Sequence, residues 1–178
     1  MKVIVLSGVD EAGKSKTIRF STRYLGLPRT TVIKFLNQRN PPKRHMVNGT
    51  PVYIYCASPQ ELSGGDVQES VQILKKRIRG KEVNALIITP FNLERKYEDS
   101  IEACLEVLQR SGLKDKTYFV FLDADVPNIR SANYEARAKI DELDSRGVTV
   151  IGRILRIPST TMDEQGRRFY DYVRKYLT

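Results

Sequence analysis

KVIVLSGVDEAGKS, residues Lys2 to Ser15, is a short apolar run that passes directly into a glycine-framed loop. Its second half, Gly8-Val9-Asp10-Glu11-Ala12-Gly13-Lys14-Ser15, matches the pattern GxxxxGK[ST], in which backbone amides close around phosphate oxygens. The setting is what that chemistry requires: a strand before the loop and a helix, expected over Lys14–Leu25, after it. Gly8 and Gly13 let the chain turn tightly, Lys14 places a charge on the β- and γ-phosphates, and the Ser15 hydroxyl is suited to Mg²⁺. The expected contact set is Gly8, Val9, Asp10, Glu11, Ala12, Gly13, Lys14, Ser15 and Lys16. The expected ligand is ATP or GTP with Mg²⁺.

Working outward, short apolar runs alternate with amphipathic stretches. Six runs read as strands: Lys2–Ser7, Thr31–Leu36, Val52–Cys56, Asn84–Thr89, Tyr118–Leu122 and Val148–Ile154. Helical spacing joins Val67, Val71, Leu74 and Ile78; then Tyr97, Ile101, Cys104, Leu105 and Leu108; then Ala132, Ala136, Ile140 and Leu143. Ser58-Pro59-Gln60-Glu61 has a capping-box spacing, and Thr161 with Glu164 opens a terminal helix. Asn40-Pro41-Pro42 resists helix, and Asn48-Gly49 predicts a tight turn that folds Arg44–Val47 back on Val52–Cys56. The expected fold is a three-layer α/β domain spanning residues 1–178. Its sheet is mostly parallel with about six strands, an antiparallel edge ribbon and helices on both faces.

Thirty Lys and Arg against 21 Asp and Glu give a net charge of +9 over 178 residues, which favours a polyanionic partner. Cys56 and Cys104 lie far from any CxxC or Cys/His cluster, so neither a zinc site nor a disulfide framework is expected, and the expected compartment is the cytoplasm. Val3–Leu6 is too short for a signal-peptide core, and no run approaches the roughly 18 apolar residues that span a bilayer, so no membrane partner is expected.

The loop LSGVDEAGKSKT resembles that of the P-loop NTPase superfamily, and within it the thymidylate-kinase-type P-loop kinases, with Asp10 at the acidic position two after the first glycine. The strand Phe119–Leu122 with Asp123, leading to Val126-Pro127, is similar to a later strand of those kinases. Thr89-Pro90-Phe91-Asn92 stands where they carry an Asp-Arg pair, and the roughly twenty residues between Asp125 and Val148 hold one helix rather than an arginine-bearing lid. The order of elements also resembles small GTPases, although Cys56-Ala57-Ser58-Pro59 and Leu122-Asp123-Ala124-Asp125 stand at that family's Mg²⁺ and guanine motifs. What the resemblance implies is nucleotide binding with Mg²⁺, and kinase-like phosphoryl transfer ahead of two alternatives. Those are NTP hydrolysis on a degenerate GTPase-like architecture and, suggested by the +9 charge and the lack of a usual strand-end acid rather than by the resemblance, a nucleotide-gated nucleic-acid-binding adaptor without efficient turnover.

The usual strand-end acid is missing. Asp123 is the expected substitute as Mg²⁺ support, and Asp10 the expected acid facing an acceptor; capping and turn formation remain an equal reading for Asp123 and Asp125. Arg39, Lys43 and Arg44 make a basic segment that either recognises an anionic acceptor or nucleic acid, or is a solvated loop. Arg130 and Arg137 stand between phosphate contacts and plain surface charges. His45 has no evident catalytic partner in the sequence.

Overall fold

The computed structural model describes residues 1–38, 41, 43–125 and 130–177, with the backbone alone at 130–132. Arg39, the segment Val126-Pro127 and the side chain of Arg130 therefore lie outside the described residues.

In chain order the elements are β1 (Lys2–Gly8), α1 (Lys14–Ser21), α2 (Arg29–Leu36), β2 (Arg44–Val47), β3 (Thr50–Ile54), α3 (Pro59–Leu62), α4 (Val67–Ile78), β4 (Leu86–Asn92), α5 (Glu98–Arg110), β5 (Thr117–Ala124), α6 (Arg130–Ser145), β6 (Thr149–Arg156) and α7 (Met162–Val173). The six strands form one sheet in the order β2-β3-β4-β1-β5-β6. Every pairing is parallel except β2 with β3, where Arg44 faces Tyr53 and Val47 faces Thr50 across the Asn48-Gly49 turn. The α/β class and the antiparallel edge ribbon are thus as the sequence predicts.

One predicted strand is corrected. Thr31–Leu36 is the body of helix α2, and the sixth strand is instead Arg44–Val47. Only Phe35 in that helix is buried, and Ile33 is 44% exposed, whereas a strand inside a parallel sheet is covered on both faces. Pro28 begins the helix, its carbonyl accepting from the amides of Thr31 and Val32. β-branching lowers helix propensity only slightly, so a good start and one buried anchor outweigh it. The basic segment that follows therefore leaves a helix rather than a strand end.

β1 lies in the middle of the sheet, and its residues Val3 to Leu6 have no solvent exposure. Along β5, side chains alternate between faces. Tyr118 turns to the face where Tyr176 follows α7, with ring centroids 4.5 Å apart, and Phe119, Phe121 and Asp123 turn to the face of α6. Helix α1 packs on α7, where Gln165 Nε2 donates to Thr17 Oγ1 at 2.6 Å. On the other face α4 packs on α5, and Lys139 and Arg146 of α6 both reach Glu102 of α5. Among the described residues no helix is long and apolar enough to cross a membrane.

Candidate phosphate-binding site

The loop begins where β1 runs out between β4 and β5. A Cβ on Gly8 would lie 2.8 Å from the carbonyl oxygen of Leu122, so no larger residue fits this strand end without displacing β5 backbone. Beyond it Glu11 (φ 58°) and Gly13 (φ 97°) adopt left-handed backbone, the alternation that turns successive amides toward one concavity. Gly13 is the N-cap of α1 and has no side chain to cap it, which leaves the amides of the first helical turn to a ligand.

A cavity of about 370 Å³ opens over the loop. Loop residues Asp10, Glu11, Gly13, Lys14, Ser15 and Lys16 line it, joined by three residues from elsewhere, Arg19, Glu61 and Arg156. Val9 and Ala12 are fully buried and serve the loop through their backbone. Six of the nine expected contact residues thus line one space, and Gly8, Val9 and Ala12 are not among its lining.

Lys14 is 3% exposed. Its Nζ donates to Val9 O at 2.5 Å and lies 3.8 Å from Glu61 Oε1. Burial lowers its pKa, while the carboxylates of Glu61, Asp10 and Glu94 act in the opposite direction. A bound polyphosphate would supply the counter-charge that this ammonium now finds only at the edge of ion-pair distance.

Glu61 is held for this position by the capping box of α3. Ser58 Oγ accepts from the Glu61 amide, and Glu61 Oε2 accepts from the Ser58 amide at 2.8 Å, which leaves Oε1 toward Lys14. The sequence revealed the box and not its second use, since a carboxylate that caps a helix carries no mark of what its other oxygen faces. The neighbouring Gln60 is fully buried, and both its amide atoms lack partners.

A second unforeseen acid comes from the end of β4. Glu94 Oε2 accepts from the Asp10 amide at 3.2 Å, and Lys96 Nζ lies 3.6 Å from Glu94 and 4.0 Å from Asp10. The residue of β4 that pairs with Gly8 is Asn92, a buried neutral side chain whose Oδ1 accepts from the Glu94 amide. Arg156, at the end of β6, donates to the carbonyls of Glu11 and Ala12 at 3.1 and 3.0 Å and so clamps the outer rim. A basic residue at the end of the last strand was the only available signal for it.

Asp123 does not join this group. β5 does lie beside β1, but the Asp123 carboxylate turns to α6, where Oδ1 accepts from Asn133 Nδ2 and from Arg137 at 2.8 Å. Arg137 is thereby committed to an ion pair within the fold. Asp125 donates its amide to Arg156 O.

The basic segment is divided. Arg44 pairs with Glu82 at 2.8 Å, while Lys43 lines a second cavity described below. His45 lies against Phe35, with ring centroids 5.5 Å apart. Burial pushes the Cys56 thiol up to about 11 and that of Cys104 up to about 12, which suits packing rather than nucleophilic chemistry.

Among the described residues no cluster of three His, Cys, Asp or Glu forms a protein-built metal cage. Mg²⁺ does not need one, because it commonly keeps several waters and takes its ligands from substrate phosphates plus one or two protein groups. Ser15 and the Glu61 carboxylate, both lining the loop cavity, fit that pattern.

No family model matches the chain, and no curated protein matches it. Three solved chains are similar to it. One is a de novo designed protein solved in solution by NMR, 14% identical with a TM-score of 0.45, covering 97% of this chain and 90% of that one. Another is the Mycobacterium tuberculosis APS kinase CysC in complex with AMPPNP and APS, 12% identical with a TM-score of 0.45, covering 97% of both chains.

Proposed function

We propose that residues 1–178 act as one nucleotide-binding domain that holds the phosphates of ATP or GTP in the loop cavity and transfers the terminal phosphoryl group to a second molecule. The observation that carries this reading is the meeting of two cavities. The loop cavity shares Arg19 with a larger one, and the adjacent residues Glu61 and Leu62 face one each. A donor and an acceptor bound in them would be neighbours, the arrangement that lets positioning supply much of the rate.

In the proposed reaction Lys14 and the loop amides balance charge on the transferring group, and Mg²⁺ held by Ser15 and the phosphates supplies further charge neutralisation when bound. An acceptor oxygen forms a bond to the γ-phosphorus as the bond from that phosphorus to the β–γ bridging oxygen breaks. The nucleoside diphosphate leaves with the electron pair, and the acceptor proton passes to the Asp10 carboxylate, which lines the loop cavity. Glu61 takes the supporting role expected of Asp123: it orients Lys14 and would, with Ser15, hold the metal ion.

Calorimetric titration with ATP and GTP in the presence of Mg²⁺, followed by product analysis with a panel of phosphoryl acceptors, tests the reading. Acceptor-dependent product is expected. Phosphate release that no acceptor stimulates would make the domain a hydrolase, and absence of triphosphate binding would remove the whole reading.

A further inference from the structure

The larger cavity has a volume of about 810 Å³, within the range of small-molecule sites. Among the described residues five cations line it, Arg19, Lys43, Lys76, Arg77 and Lys81, and no carboxylate does. They come from different parts of the chain: Arg19 from α1, Lys43 from the approach to β2, Lys76 and Arg77 from α4, and Lys81 from the turn after it.

Arg77 is the informative member. It is 4% exposed, and among the described residues no carboxylate lies within ion-pair distance of it. Its guanidinium is fixed by donation to Thr89 Oγ1 at 2.5 Å and to Ala57 O at 2.8 Å, and it stands 4.7 Å from the centroid of the Tyr55 ring. Burial lowers its pKa to about 10. A buried, rigidly placed cation with no carboxylate at ion-pair distance, helped only at longer range by Glu61, is costly for folding alone, and a ligand anion offsets that cost. Much of the rest of the wall is apolar, with Phe35, Ile54, Leu62 and Ile73. Inorganic phosphate would leave that surface uncovered, and an apolar molecule would leave the cations unpaired.

We propose that this cavity binds a small organic phosphate monoester, its phosphate among Arg77, Lys76 and Lys81 and its apolar body against Phe35 and Ile54. This deepens the reading above by naming the class of acceptor, and rests on it only for that name; the binding itself stands without any nucleotide. The ester's free hydroxyl would then lie toward Arg19 and the loop cavity.

The test is calorimetry on the full chain with phenyl phosphate, phenol, inorganic phosphate and a 5′-phosphorylated oligonucleotide. Phenyl phosphate is expected to bind at least roughly tenfold more tightly than either phenol or inorganic phosphate, the factor expected for one additional charge-assisted or apolar contact. The double variant Lys76→Gln with Lys81→Gln removes two surface charges and should weaken the ester by roughly tenfold or more while leaving ATP·Mg²⁺ affinity within about twofold. Lys14→Ala should do the reverse. Equal affinity for the ester and inorganic phosphate, or preference for the oligonucleotide, would overturn the proposed class, as would an unaltered ester affinity in the double variant. If the ester binds and ATP does not, the cavity assignment stands and the phosphoryl-transfer reading falls; the opposite pattern removes the cavity assignment alone.

Discussion

The two strands that flank β1 end in different ways. β4 passes its end at Asn92 and sends Glu94 back to the loop, where the carboxylate meets the Asp10 amide. β5 carries its own acid, Asp123, at the strand end, and the side chain leaves toward Asn133 and Arg137 on α6. Adjacency to the loop is common to both. What separates them is that Glu94 lies two residues beyond β4, whereas Asp123 lies within β5, where the face of a side chain is set by its parity along the strand. Asp123 shares the face of Phe119 and Phe121, the face covered by α6, so its position at the strand end does not bring its carboxylate to the loop cavity.

The strongest way to break this comparison is at the loop itself. Lys14→Ala should cost roughly a hundredfold in ATP or GTP affinity, the size of one lost bond from a charged donor to a phosphate. Its melting temperature should stay close to the parent's, because its ammonium meets a carbonyl and a carboxylate rather than core side chains. Calorimetry and circular dichroism check the two halves.

Next comes a test of which acid serves the loop. Glu61→Gln should raise the Mg²⁺ concentration needed for half-maximal triphosphate binding by roughly tenfold, about one charge-assisted contact. Asp123→Asn should leave that requirement within about twofold. A titration in which Asp123→Asn has the larger effect would restore the strand-end acid to the site and reverse the assignment.

Asp123→Asn should show itself in stability instead. Replacing the partner of Arg137 in a nearly buried position is expected to lower the free energy of unfolding by about 1–2 kcal/mol, measured by urea denaturation. If the loss accompanies unchanged nucleotide binding, the carboxylate is a tie between β5 and α6.

The smallest effect concerns the second tie on the same face. The Arg146 guanidinium, opposed by partial burial and helped by Lys139, holds the Glu102 carboxyl down to about 2. Since an unfolded Glu titrates near about 4.3, the folded state binds fewer protons there. The contribution is complete above about pH 4.3 and fades as pH falls toward 2. Glu102 is 36% exposed, so solvent screening keeps the effect below about 1 kcal/mol. Glu102→Gln should flatten the acid limb of a melting-temperature profile by that amount and leave the profile above pH 6 unchanged in shape.

Legibility followed the range over which each feature is encoded. The phosphate loop, the ribbon turn at Asn48-Gly49 and the Ser58 capping box are specified by residues within a few positions of one another, so their geometry could be read directly. Thr31–Leu36 misled because a short apolar run has no period long enough to separate strand from helix, and the deciding facts were Pro28 before it and the exposure of Ile33. Nothing near Arg77 in the sequence marks its burial, because that comes from β4 and the segment after β3 closing over it.

By itself, the sequence determined a glycine-framed loop between a strand and a helix on a mostly parallel α/β sheet, because amide geometry, glycine freedom and a helix start are local properties of the chain. Only the tertiary structure decided which acids and cations surround that loop. Glu61, Glu94 and Arg156 reach it from three separate elements, and Asp123 is drawn away by the face on which its strand turns it. Those choices depend on register, face and the packing of residues distant in sequence, and no short stretch of the chain carries that information.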